Sequence, residues 1–147
     1  MATIRGGDKL AAALAKISKG VSKPALLRVG FLENAKYPDG KPVAMIAAIQ
    51  DFGAPRAGIP PRPFFSNMVA SKKAGWPNAI AVNLKAQNYD ATKALLIVGE
   101  GIKGQLQQSI KETNSPPLKP ATVQRKGSSK PLVDTVHMLA SVDYDVR

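Results

Sequence analysis

Few residues in this chain could do covalent or metal chemistry, and their spacing works against it. There is a single histidine, His137, next to Met138 and Leu139, and there is no cysteine. The common transition-metal sites need several imidazoles or thiolates on one centre, so a metal site lacks its ligands. A lone histidine beside apolar residues reads as structural. No Gly-x-Ser-x-Gly occurs to present a serine nucleophile. Gly99-Glu100-Gly101-Ile102-Lys103-Gly104 has the spacing of a dinucleotide loop. It lies inside a helical pattern rather than after a strand, so it cannot cradle a phosphate. Asp143 and Asp145 are two residues apart and share one face of a strand. Without further ligands they read as solvated groups or salt-bridge partners. We expect no catalytic residue, no metal and no cofactor, and so no enzyme.

Charge is the stronger signal. Lysine and arginine number 21 against 10 acidic residues, a formal +11, which suits nucleic acid, an anionic membrane or an acidic protein partner. The densest basic run holds Lys119, Arg125, Lys126 and Lys130. It contains no aromatic residue on which a base could stack, against a dedicated single-strand platform. A solvated basic surface is the plainer reading. No stretch is long and apolar enough for a membrane span, and Met1 to Lys9 has no apolar run of the signal-peptide kind. The missing cysteines exclude disulfides and fit assembly in the cytoplasm.

The stretch from Gln50 to Phe65 organises the rest. An alanine-rich helical run ends at Asp51-Phe52-Gly53, where Gly53 can adopt positive φ and stop a helix. Ala54 to Pro61 holds three prolines and a glycine and can be neither helix nor central strand. Pro63 suits the first position of the next helix. A stiff loop of this kind loses little entropy on meeting a partner. Arg56, Ile59 and Arg62 on the loop, with Phe64 and Phe65 anchoring its far end, are candidate interface residues. Trp76, the only tryptophan, reads either as a cap on the core or as an interface anchor.

The elements that position this loop follow from periodicity. Leu10, Leu14 and Ile17 predict a short amphipathic helix ending at Gly20, with Asp8 in its first turn and Lys16 and Lys19 near its end. Ala25 to Leu32 reads as a strand, with Gly30 marking a bulge or close approach. Pro38-Asp39-Gly40 is a turn, and Tyr37 beside it covers the core. Helices are predicted over Val43 to Phe52 with Pro42 at its first position, Phe64 to Lys73, and Asn78 to Lys85. Asp90 caps the longest, Ala91 to Glu112, whose buried stripe is Leu95, Val98, Ile102, Leu106 and Ile110. Gly99, Gly101 and Gly104 suggest a bend or another backbone packed close. After a proline-rich connector from Asn114, Thr122 to Lys126 forms a turn of helix and Gly127-Ser128-Ser129 a flexible tip. Asp134 or Thr135 caps a short helix through Ala140. Ser141 to Val146 alternates as a half-buried strand and pairs antiparallel with the first. The expected fold is a single α+β domain over 1–147: a small antiparallel sheet packed with several helices, with protruding proline-rich loops.

Two segments carry a resemblance. Phe52-Gly53, followed closely by Ile59-Pro60-Pro61-Arg62-Pro63-Phe64-Phe65, resembles the small neck or tail-completion proteins of tailed bacteriophages. So does a second segment: Pro117-Leu118, Thr122, Lys126, Pro131-Leu132-Val133-Asp134-Thr135, then Met138 to Val142. That family's pattern has glycine where this chain has Val136. The resemblance implies a structural virion protein of the head–tail connector, assembled in the host cytoplasm. It would form a homo-oligomeric ring between portal or adaptor and tail proteins, with DNA passing through the lumen without sequence-specific recognition. The alternative, resting on charge alone, is a basic nucleic-acid-binding protein. The ring reading makes Ala54 to Arg62 and Ser115 to Lys130 the candidate joining patches, since a ring interface joins two different patches of each subunit.

Overall fold

The computed structural model describes residues 6–113, 117, 119–126 and 136–147, with backbone alone at Thr122, Lys126 and Val136. The order is α1 (Gly7–Val21), β1 (Leu27–Phe31), α2 (Val43–Phe52), α3 (Phe64–Lys72), α4 (Trp76–Ala86), α5 (Ala91–Glu112), α6 (Pro120–Lys126), α7 (Val136–Ala140) and β2 (Val142–Val146). It is an α+β fold with one two-stranded antiparallel sheet. β1 and β2 come from opposite ends of the chain and pair with Val29 opposite Tyr144 and Phe31 opposite Val142.

α5 is the axis. Its N-cap is Asp90, whose carboxylate accepts from the Lys93 N–H at 3.0 Å and so occupies one of the donors a helix start leaves open. Its stripe of Ala94, Val98, Ile102, Leu106 and Ile110 is buried, with Leu95 only half-buried. The core gathers Leu106 and Ile110 with Val43 and Ala47 of α2, Phe64 and Met68 of α3, Met138 of α7 and Val142 of β2. Polar clamps from α5 fix the layers around it. The Ser109 hydroxyl donates to the Phe64 carbonyl at 2.6 Å, and the Gln107 amide donates to the Leu139 carbonyl at 3.3 Å.

The three glycines of α5 do not break it: the helix runs continuously to Glu112. Only Gly99 makes the close approach, and to side chains rather than backbone: a β-carbon there would lie 2.5 Å from the Tyr144 ring and 2.8 Å from Leu27. Gly101 and Gly104 face open space. α1 ends at Val21, one residue past Gly20. Gly20 is glycine because the Tyr89 carbonyl presses against it. Pro42 and Pro63 each precede their helix instead of opening it. Gly75 and Trp76 interrupt the chain only by one 3-10 turn, Lys73–Gly75, before α4 begins. The Pro38-Asp39-Gly40 turn forms, with the Gly40 N–H donating to the Tyr37 carbonyl and φ at 83°. Val136, the departure from glycine, opens α7. The expected caps Asp134 and Thr135, and the Gly127-Ser128-Ser129 tip, lie outside the described residues. Among the described residues no helix is long and apolar enough to cross a membrane.

On the face of the sheet away from α5, Arg28 grips Asp145 with two bonds, Nε to Oδ1 at 2.8 Å and Nη2 to Oδ2 at 2.7 Å, and Arg147 adds a third at 3.1 Å. This ties the first strand to the last. The hydrogen bond and charge of Arg28 hold the Asp145 carboxyl down at about 2. Asp143 instead meets Lys103 of α5 at 3.2 Å. A carboxyl whose folded pKa is depressed stabilises the fold above its unfolded value of about 4, and that stability is lost as pH falls through the folded value. The thermal midpoint of Asp145→Asn should therefore lie below that of the wild type at pH 5–7, and the gap should close between about pH 4 and pH 2. A gap that persists undiminished to pH 2 would contradict the pairing.

Candidate interface loop

The proline loop is built from Asp51 outward. Asp51 sits in the last turn of α2, where a negative charge opposes that helix's own dipole. Its side chain serves the next helix instead. Oδ1 accepts from the Phe65 N–H at 2.8 Å and the Ser66 N–H at 3.2 Å, and Oδ2 accepts from the Ser66 hydroxyl. Asp51 is thus the N-terminal cap of α3, delivered from another element, and it is only 4% exposed. The residue before α3, Pro63, is bridged by a tight turn: the Phe64 N–H donates to the Arg62 carbonyl at 2.7 Å across a Pro63 at φ −77°, ψ 58°. That turn drives Phe64 into the core at 1% exposure, edge-on to Phe31 with ring centroids 6.4 Å apart.

Between these anchors the loop closes on itself. Ala54 and Ile59 exchange backbone bonds at 2.8 and 3.1 Å, and the tip Pro55-Arg56-Ala57 coils as one 3-10 turn ending at Gly58, φ 66°. Gly53, at φ 76°, is glycine for two reasons: its dihedral, and a β-carbon there would fall 2.8 Å from the Pro61 nitrogen. The loop is a braced miniature hairpin, and its tip is exposed.

This geometry corrects two expectations and sorts the others. Arg62 is not a surface residue available to a partner. It is 5% exposed, its N–H donates to the Gln50 carbonyl at 2.7 Å, and its guanidinium donates to Gln50 Oε1 at 3.2 Å. Burial pulls its pKa below the ordinary arginine value. The physical reason is the Asp51 cap, which brings the return limb of the loop against the end of α2. Phe64 is likewise core rather than contact surface. Phe65 and Ile59 are half-buried. Trp76 is half-buried against the core, and its indole N–H donates to Gln105 Oε1 at 3.0 Å. Arg56 alone among the loop's candidates is exposed at the tip. Lys119 and Arg125 are exposed on a different segment, at and within α6. The Lys126 side chain and Lys130 lie outside the described residues. His137 is held structurally: its Nε2 is 2.7 Å from the Lys36 carbonyl, and its ring stacks on Tyr37, tilted, at 4.9 Å. Among the described residues no three His, Asp or Glu converge as a metal site.

Two features escape sequence reasoning. Gln50 and Asp51 form the joint, and the clue available was an aspartate placed at the wrong end of its own helix. The second is a cleft of about 350 Å³ between β1 (Val29, Gly30, Phe31) and α2 (Ala44, Ala47, Ala48, Phe52). No protein-family model, curated protein or solved structure matches this chain.

Asp51→Ala should lower the unfolding free energy by about 1–3 kcal/mol, through a lost cap and unpaired donors. Arg62→Ala should destabilise in the same range by stripping the partner from Gln50. Arg56→Ala should change stability by no more than about 0.5 kcal/mol. Urea unfolding of the three variants checks this. An Arg62→Ala midpoint equal to the wild type would remove the joint from the account.

Proposed function

We propose that this chain is a structural virion protein of a tailed phage, a ring-forming component of the head–tail connector between portal or adaptor and tail. The supporting observation is the braced loop. A segment whose sequence resembles the neck and tail-completion pattern is also the one that holds both buried charged side chains among the described residues, Asp51 and Arg62, and it leaves one cation, Arg56, at an exposed tip. A preformed tip loses little entropy on docking, which suits a joint between protein rings. The positive surplus suits a lumen through which DNA passes, because phosphate contacts hold a duplex without reading its sequence. It suits an acidic neighbouring ring equally. On this reading the chain has no catalytic role.

The second reading, a nucleic-acid-binding protein, is favoured by the +11 charge. The two separate in one pair of measurements. For the connector, Arg56→Glu should leave the subunit's unfolding unchanged while lowering the yield of joined, infectious particles at least tenfold. Duplex binding by the isolated wild type should stay weak at 150 mM salt. Normal particle yield from Arg56→Glu, with tight duplex binding whose affinity falls steeply with salt, would replace the first reading with the second.

A further inference from the structure

Among the described residues, α1 leaves its apolar side largely open, with only Ile17 of that side half-buried. Leu10, Leu14, Ile17 and Val21 fall at i, i+4, i+7 and i+11, within one narrow stripe of a helix. Leu10 is 62% and Leu14 57% exposed, and no residue of α1 is buried. The helix is attached near its C-terminal end, where Gly20 seats on the Tyr89 carbonyl at the corner between α4 and α5. A 15-residue helix is marginal in water without a surface to lie on. An apolar stripe kept in the open marks an interaction site.

The same chain carries a matching concavity. The cleft between β1 and α2 is lined by Val29, Phe31, Ala44, Ala48, Phe52 and Phe65 among others. Phe52 on its rim is 74% exposed, and Met45 on α2 is exposed too. The small alanines leave room for a ridge of larger aliphatic side chains, which is how a groove receives an amphipathic helix. α1 does not fill the cleft of its own chain, since both surfaces stand open. The charges do not oppose the contact. α1 bears three lysines and one aspartate, while α2 bears no basic residue and its one aspartate, Asp51, is buried in the cap of α3. In a chain of +11 that makes the α2 wall a place where a second copy's lysines meet no like charge.

We infer that α1 of one copy docks into the β1–α2 cleft of the next, with Leu10, Leu14 and Ile17 as the ridge. The contact joins two different patches, so repetition gives a ring where the rotation closes. The inference rests on the connector reading for its ring, but the arm-in-cleft contact stands or falls by itself.

The absence of cysteine makes the test clean. Leu14→Cys and Phe52→Cys, both at exposed positions, are purified separately, mixed in equal amounts as full-length protein and mildly oxidised. Ala81→Cys, on an exposed position of α4, serves as control. The expected product is the Leu14–Phe52 mixed disulfide, exceeding either homodimer and either pairing with the control by about tenfold. A statistical mixture, or a dominant Leu14–Leu14 homodimer, overturns the inference. The double variant Leu14→Cys/Phe52→Cys then separates the two readings by native mass. Closed rings support both. Crosslinked two-fold dimers or open filaments leave the contact standing and remove the ring.

Discussion

Everything at the centre of this fold depends on a buried carboxylate that must be satisfied. Asp51 belongs to α2 but its lone pairs are filled by the first turn of α3. A buried, unpaired carboxylate is costly, so the two helices cannot separate without exposing it or leaving it unpartnered. Once that contact is made, the residues between must return to within bonding distance of where they left. Gly53, the Ala54–Ile59 bridge and the Arg62–Gln50 bonds are the means of return. The Pro63 turn then aims Phe64 at Phe31, which joins the helical layer to the sheet. Ser109 of α5 meets the Phe64 carbonyl and locks that layer to the long helix.

Local signals in the sequence carried much of the fold, and their limits are physical. Asp90 announced α5 because a capping side chain acts within three residues of itself. The antiparallel partnership of β1 and β2 was legible because one apolar-rich run and one alternating run each need a partner strand. Arg62 was misread because arginine is a surface residue unless its surroundings are known, and its partner Gln50 is twelve residues away in sequence. Gly20 and Gly101 show the same limit from two sides. One is a glycine with a tertiary reason that no local pattern encodes; the other sits in a helix and touches nothing. The stripe on α1 was read correctly as amphipathic, but periodicity does not say whether the surface it needs lies in the same chain.

On the proposed reading, the braced tip, the open stripe of α1 and the apolar cleft are the surfaces through which a subunit would join an assembly. The interior is satisfied on its own terms: among the described residues no buried side-chain polar atom lacks a partner. Those surfaces are apolar or basic instead. On that reading the protein would fold first and then join, with the apolar arm and cleft giving affinity between copies and the basic groups acting on acidic protein or phosphate at longer range.

The central claim is that the chain belongs to the connector of a tailed particle. Immunogold electron microscopy tests it most directly, using particles made from the genome that encodes this chain and an antibody raised against it. The account predicts gold confined to the head–tail junction of intact particles. Gold elsewhere on the particle, or particles that lack the protein altogether, would contradict it.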